Sequence, residues 1–188
     1  MGHVKKPILI KNFLNEEELR LLNTYFKIRH RANLNFFDTT QNNQDSGFYA
    51  DYFMETILIH KKSLVEKALK EELLPTYSYT RVYTHDALLP KHTDRPSCEV
   101  SVTVSVSSCG VKWPIKVNNK EYFLKKGEGL IYEGMVWPHE RDYFKGDYQV
   151  QSFLHYVRKN GPYHNYVLDR RLTLGMEHGY YRKFPTWI

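Results

Sequence analysis

Cysteine is scarce in this chain and long apolar runs are missing. Cys98 and Cys109 are the two cysteines among 188 residues, which excludes a disulfide framework, and their separation does not match a zinc motif. No stretch approaches the ~20 apolar residues of a membrane span. The opening residues, Met1 to Lys11, are too short and too charged for a secretory signal. The expectation is a soluble, cytoplasmic protein in a reducing compartment, with no membrane partner. A large excess of one charge is also missing. The formal net charge is +6, with lysines and arginines scattered and a mild surplus at Arg170, Arg171, Arg182 and Lys183. That pattern describes a solvated basic surface better than a nucleic-acid stripe, and nucleic acid stays the weaker expectation.

What is present is a globular composition, 41% hydrophobic and 15% aromatic, with fifteen tyrosines. One domain over residues 1–188 is expected. Pro7 to Phe13 reads as a short opening strand. Asn15 offers an N-cap, Glu16, Glu17 and Glu18 put negative charge in a first helical turn, and Leu19, Leu22, Tyr25 and Phe26 recur at helical spacing to about Ile28. Asn33 to Gly47 lacks periodicity and reads as a loop, either a lid or a slack connection. A second helix is expected from about Tyr52 to Leu73, with Leu58, Val65, Ala68 and Leu69 buried and Pro75 marking its end. From Thr76 the pattern changes to strands. Val100, Val102, Val104 and Val106 alternate with Ser101, Thr103, Ser105 and Ser107, and Asn118-Asn119 is a hairpin turn. Helices followed by many short strands predict an α+β, mainly β fold, a β-sandwich or jelly roll with N-terminal helices on one face. The helical part covers about 13–74, the β core about 76–158, and an aromatic, basic extension 159–188.

The chemistry sits at His92-Thr93-Asp94. Ligands one residue apart project to one face of a strand end. His139 follows Asp94 by 45 residues, a length that fits about four short strands and returns it beside the pair. Two imidazoles and one carboxylate on one face of an octahedron leave the opposite positions open, which suits non-haem Fe(II) and oxygen. The remaining histidines lack ligand spacing; His155 reads as a core histidine or a support for a ligand.

This layout resembles the Fe(II)/2-oxoglutarate-dependent oxygenases, in their prolyl-4-hydroxylase-like branch. Ile8-Leu9-Ile10-Lys11-Asn12-Phe13-Leu14-Asn15 with Glu16-Glu17-Glu18, Tyr79-Thr80-Arg81-Val82-Tyr83 nine residues before His92, and Leu89 to Glu99 carry the likeness. The last stretch is similar to small, often viral or microbial, single-domain members. The resemblance implies a double-stranded β-helix holding iron by His92, Asp94 and His139, with 2-oxoglutarate on the metal and ascorbate in support. It implies oxidation of the cosubstrate by O2 to succinate and CO2, coupled to hydroxylation of a C–H bond in a prolyl residue, another amino-acid residue or a free amino acid. Asp94 argues against the related halogenases, which leave that position free for halide. The branch usually anchors the far carboxylate of 2-oxoglutarate with a Lys or Arg nine to eleven residues after the distal His. Tyr148, Gln149 and Val150 stand there instead. Arg141 is the first substitute and Arg95 the second, with Tyr83 and Gln151 as neutral donors. The competing readings are an ion pair of Arg141 with Glu140 or Asp142, and an Arg95 that braces its own loop. Arg81 and Trp137 are expected near a substrate cleft, or as buried packing. Two further readings are a nucleic-acid-acting oxygenase of the same chemistry and a cupin-like metal-binding barrel.

Overall fold

A computed structural model describes residues 6–32, 36–37 and 45–176. Strand β1 (Ile8–Ile10) leads into helix α1 (Glu16–Arg31). A reciprocal capping box starts α1: the Asn15 side chain accepts from the Glu18 N–H, and the Glu18 carboxylate accepts from the Asn15 N–H, both at 2.8 Å. Strands β2 (Phe36–Phe37) and β3 (Ser46–Tyr49) pair within the segment read as a loop; residues 33–35 and 38–44 lie outside the described residues. Helix α2 (Tyr52–Leu69) is capped by Asp51 and stops at Lys70, whose φ of 58° is left-handed.

Pro75 does not end that helix. It lies inside β4 (Leu73–Thr84), which begins three residues earlier than the sequence pattern suggested. The reason is local. β3 pairs with β4 only over Tyr79–Val82, so at Pro75 the strand has a ladder partner on one side and a missing N–H is tolerated. The remaining strands are β5 (Leu89–His92), β6 (Val100–Ser108), β7 (Ile115–Val117), β8 (Lys120–Tyr122), β9 (Gly129–Tyr132), β10 (His139–Arg141) and β11 (Tyr148–Arg158). Four of them, β6 to β9, fill the interval between Asp94 and His139. Asn118 and Asn119 both adopt positive φ, 49° and 62°, in the β7–β8 hairpin.

The strands form two antiparallel sheets, β1-β9-β6-β11-β4-β3-β2 and β5-β10-β7-β8. The alternation of β6 explains their stacking. Val100, Val102, Val104 and Val106 face the helices and join Leu22, Phe26, Leu58 and Val65 in the main apolar core. The opposite face of the large sheet looks inward and is polar, with Ser101, Thr103, Ser105, Gln149 and Gln151 all buried. A smaller cluster of Ile115, Val117, Leu130 and Tyr132 joins the two sheets. Among the described residues no helix is long and apolar enough to cross a membrane.

The segment after β11 docks through a buried ion pair. Arg171 holds Glu55 of α2 at 2.7 Å and donates to the Thr76 carbonyl at 2.9 Å. Glu55→Ala leaves that guanidinium buried without its carboxylate, and a loss of about 3–5 kcal/mol of unfolding free energy is expected. Replacing both residues by apolar ones costs less; urea titrations of the two single variants and the pair check this through the coupling term.

Candidate active site

Between the sheets lies a cavity of about 260 Å³, walled by residues of β4, β5, β10 and β11. His92 ends β5 and His139 begins β10, and the two are direct partners in the ladder. Asp94 follows β5 and is tied by its N–H to the Gly134 carbonyl at 2.9 Å. One donor atom from each of His92, Asp94 and His139 lies within 4.8 Å of the others. The Nε2 atoms of His92 and His139 stand 3.6 and 3.5 Å from Asp94 Oδ1. Each imidazole turns its Nδ1 to a carbonyl two residues back, Pro90 at 2.7 Å and Trp137 at 3.0 Å. An Nδ1–H committed to a carbonyl leaves a lone pair on Nε2. Two such lone pairs and a carboxylate converge on one point with no hydrogen-bond donor between them, the arrangement a divalent cation fills.

Burial raises the Asp94 carboxyl, but the His139, His155 and His92 imidazoles around it outweigh that and hold it below the usual carboxylate range. Burial pushes His155 down to about 4, so it stands neutral. Its Nδ1 meets Ser101 Oγ at 3.0 Å, and Ser101 donates to Asp94 Oδ2 at 3.2 Å. This short relay orients the carboxylate. Gly134 completes the cradle: a Cβ placed there would lie 2.1 Å from Asp94 Oδ2 and 2.7 Å from Ser101 Oγ. Asp94, Cys98 and His155 form a second close trio. Burial pushes the Cys98 thiol well up, and it pairs with Tyr77 Oη at 3.1 Å, so the thiol is protonated there.

Unsatisfied buried donors gather around Tyr83: Arg81 beside it on the cavity wall, and Arg141 next to it over Trp113. Arg81, Tyr83 and Arg141 are 1%, 0% and 2% exposed. All three Arg81 nitrogens, Tyr83 Oη and Arg141 Nε lack a hydrogen-bond partner. Buried donors of this kind are rare in native proteins and call for an acceptor, whether ordered water or a ligand. Arg81 has a counter-ion, Asp45, at 3.4 Å. Arg141 lies over the Trp113 ring and donates to the Trp113 carbonyl at 2.6 Å. Burial pushes its guanidinium down to about 10, and no ion pair with Glu140 or Asp142 forms. The register explains how cations reach this point from other strands: Gln149 stands opposite Tyr83, and Gln151 opposite Arg81. Gln151 itself donates to Thr103 Oγ1 at 2.6 Å, within the polar row of the inner face.

The other expected residues are placed differently. Arg95 lines the cavity but gives both Nη atoms to Asp169 at 2.7 Å. Trp137 packs with the small inter-sheet cluster, off the cavity wall, and its carbonyl holds His139. Ser101, Gly134, Asp45 and Asp169 were not singled out in the sequence reading. Ser101 sits on the inward phase of the period-two run, the one signal that could have found it. Asp45 and Asp169 reach the site from distant segments and carry no local signal.

No protein-family model matches the chain, and no curated protein does. Solved structures do. The Pseudomonas putida prolyl-4-hydroxylase superposes with a TM-score of 0.63 at 15% identity, over 82% of this chain and 93% of that one. The viral collagen prolyl hydroxylase of Paramecium bursaria Chlorella virus-1, a 2-oxoglutarate complex, gives 0.62 at 11% identity, over 81% and 96%. The non-haem α-ketoglutarate-dependent epimerase SnoN of nogalamycin biosynthesis gives 0.67 at 8% identity, over 80% and 77%. At these identities the likeness is one of fold, and the fold is that of the Fe(II)/2-oxoglutarate oxygenases.

Proposed function

We propose that the chain, built on the fold of the Fe(II)/2-oxoglutarate oxygenases, is itself such an enzyme: a dioxygenase of double-stranded β-helix form that hydroxylates a C–H bond. The observation that carries the reading is the pairing of two features in one cavity. A His92–Asp94–His139 donor set has its Nε2 lone pairs free, and unsatisfied N–H and O–H donors of Arg81 and Tyr83 share its cavity wall, with Arg141 beside Tyr83. The first fits a divalent iron and the second fits a carboxylate. Iron with 2-oxoglutarate and O2 supplies the oxidising power for the C–H bond, and succinate and CO2 are the coproducts.

The chain's own residues have distinct tasks. Pro90 and Trp137 fix the imidazole tautomers through their carbonyls. Ser101, oriented by His155, and the bare Cα of Gly134 set the carboxylate of Asp94. Arg141 and Tyr83 receive the far carboxylate of the cosubstrate, with Arg81 closing on it from β4. An uncompensated buried cation is costly, and Arg141 gains its counter-ion when the dicarboxylate arrives. Tyr77, Tyr79 and Phe153 wall the mouth and displace water from the reacting face. The substrate class we propose, an amino-acid residue or free amino acid, is the one that the resemblance to the prolyl-4-hydroxylase-like branch suggests.

Anaerobic addition of Fe(II) and 2-oxoglutarate is expected to produce a visible charge-transfer band, and labelled 2-oxoglutarate is expected to yield succinate with a peptide or amino-acid panel. A missing band, with iron demonstrably bound elsewhere or not at all, counts against the assignment.

A further inference from the structure

Arg95 and Asp169 form a feature that the cosubstrate leaves unused. Asp169 is 1% exposed and gathers four donors: Arg95 Nη1 and Nη2 at 2.7 Å each, and the hydroxyls of Ser97 and Tyr49 at 2.6 Å each. It sits in a backbone kink where Leu168, Asp169 and Arg170 all take positive φ, 54°, 54° and 60°. Non-glycine residues rarely adopt that region, and three in a row persist only where surrounding contacts over-determine them. Burial of Leu168 and Arg171 on either side provides such contacts. The kink thus delivers one carboxylate from the C-terminal segment to the residue next to a proposed iron ligand.

The hydrogen-bond pattern defines what Arg95 has left. A guanidinium carries five N–H donors in a rigid plane. Asp169 takes two of them end-on, and Ser97 Oγ takes the second Nη1–H at 3.1 Å. The two that remain, Nε–H and one Nη2–H, lie side by side on the other edge of the plane. No described residue accepts from them. The Arg95 side chain is 43% exposed, lines the cavity, and lies over the Tyr77 ring with its Cζ 4.6 Å from the ring centroid. A free two-donor edge on a guanidinium held still from its other edge is the geometry that receives a carboxylate bidentately.

A cosubstrate with its far carboxylate on Arg141 and Tyr83 would have its other end committed to the metal at His92, Asp94 and His139. Both of its carboxylates would then have partners, and the free edge of Arg95 is left for the other ligand.

We propose that Arg95 is a substrate-binding residue that takes a carboxylate of the substrate, and that Asp169 is the positioning residue that holds its open edge toward the cavity. The inference rests on the oxygenase reading and narrows its substrate class to molecules with a free carboxylate beside an apolar portion that lies against Tyr77, Tyr79 and Phe153. Two sources share this chemistry: a small amino-acid derivative, and the C-terminal carboxylate of a peptide.

The test compares acids with their amides. N-acetyl-proline, N-acetyl-leucine and short peptides ending in the same residues, each as free acid and as carboxamide, are titrated into the anaerobic protein with Fe(II) and 2-oxoglutarate. Binding is read by ligand-observed NMR of the same samples made with Zn(II) in place of iron. At least one acid is expected to bind tenfold or more tightly than its amide, and the small-acid and peptide arms separate the two sources. In Arg95→Lys, which keeps the charge and loses the fork, the preference is expected to fall to within about threefold. Asp169→Asn discriminates further. Removing a negative charge should tighten acid binding if charge attraction alone operates, whereas loss of the held fork weakens it. Equal binding of acids and amides, no acid binding at millimolar concentration, or a preference that survives Arg95→Lys overturns the proposal. Tighter acid binding in Asp169→Asn overturns the role of Asp169. The charge-transfer band, read on the iron samples, reports separately on the oxygenase reading: a band without acid preference sinks the fork alone.

Discussion

Gly134→Ala is expected to give a folded protein that has lost the proposed metal site. The added methyl would stand 2.1 Å from Asp94 Oδ2 and 2.7 Å from Ser101 Oγ, closer than any real contact. The atom in the way is the end of a short side chain, so the carboxylate swings aside while the backbone stays. The Asp94 N–H to Gly134 carbonyl bond at 2.9 Å is untouched. What is lost is the direction of the one anionic ligand. Disturbing the support of a ligand typically lowers metal affinity 10–100-fold, and displacing the ligand itself belongs at or above the upper end. Circular dichroism and thermal melting should match the parent, while Fe(II) or Co(II) titration shows at least a hundredfold weaker binding and no charge-transfer band forms. Parent-like affinity would mean that Asp94 is not a ligand.

Arg141→Met separates folding from cosubstrate binding in the opposite direction. In the free protein the guanidinium is buried, faces no carboxylate among the described residues, and has one nitrogen without a partner. Methionine keeps most of the volume and removes the charge. It costs the bond to the Trp113 carbonyl at 2.6 Å, worth about 1–3 kcal/mol when its partner is left alone. Relief of an unpaired buried charge is of similar size or larger. The melting temperature of the ligand-free variant should therefore be unchanged or higher. Its affinity for 2-oxoglutarate should fall a hundredfold or more, because a charge-assisted bond in a dry site is lost. Isothermal titration and melting curves with and without 2-oxoglutarate read both effects. A variant that keeps its affinity removes Arg141 from the anchor and leaves Arg81 and Tyr83.

The parts legible in the sequence were those set by local pattern. The capping box at Asn15 and Glu18, the valine alternation of β6 and the paired asparagines of the β7–β8 hairpin are short-range signals, and each marks an element in the structure. His92-Thr93-Asp94 and His139 were readable because a strand end and a strand count place them. Other features depend on which strand meets which. Pro75 looked like a helix stop because a proline inside a strand is unfavourable unless one side lacks a partner, and that side is open only because β3 is short. Arg81, expected at a cleft or in packing, does line the cavity, but nothing local says that it faces Gln151 across the ladder and turns a cation toward Tyr83. Asp169 had no chance of being read: its contacts lie 74 and 120 residues away, and its kink uses residues with no preference for that conformation.

The two faces of the large sheet divide the labour of the molecule. One row of β6 side chains, the valines, is packed between sheet and helices, and the alternate row of serines and threonine faces the space between the sheets. Most of the apolar packing therefore lies on the helix side of the large sheet. Residues of the cavity wall that take no part in the buried hydrogen-bond network can be exchanged without touching that packing. Exchanging Tyr79 or Phe153 for residues of other size and polarity should reshape what the cavity accepts at small thermodynamic cost, while an exchange at Leu154, one residue along, would disrupt the core. Laboratory evolution of this scaffold toward new acids is best confined to every second position.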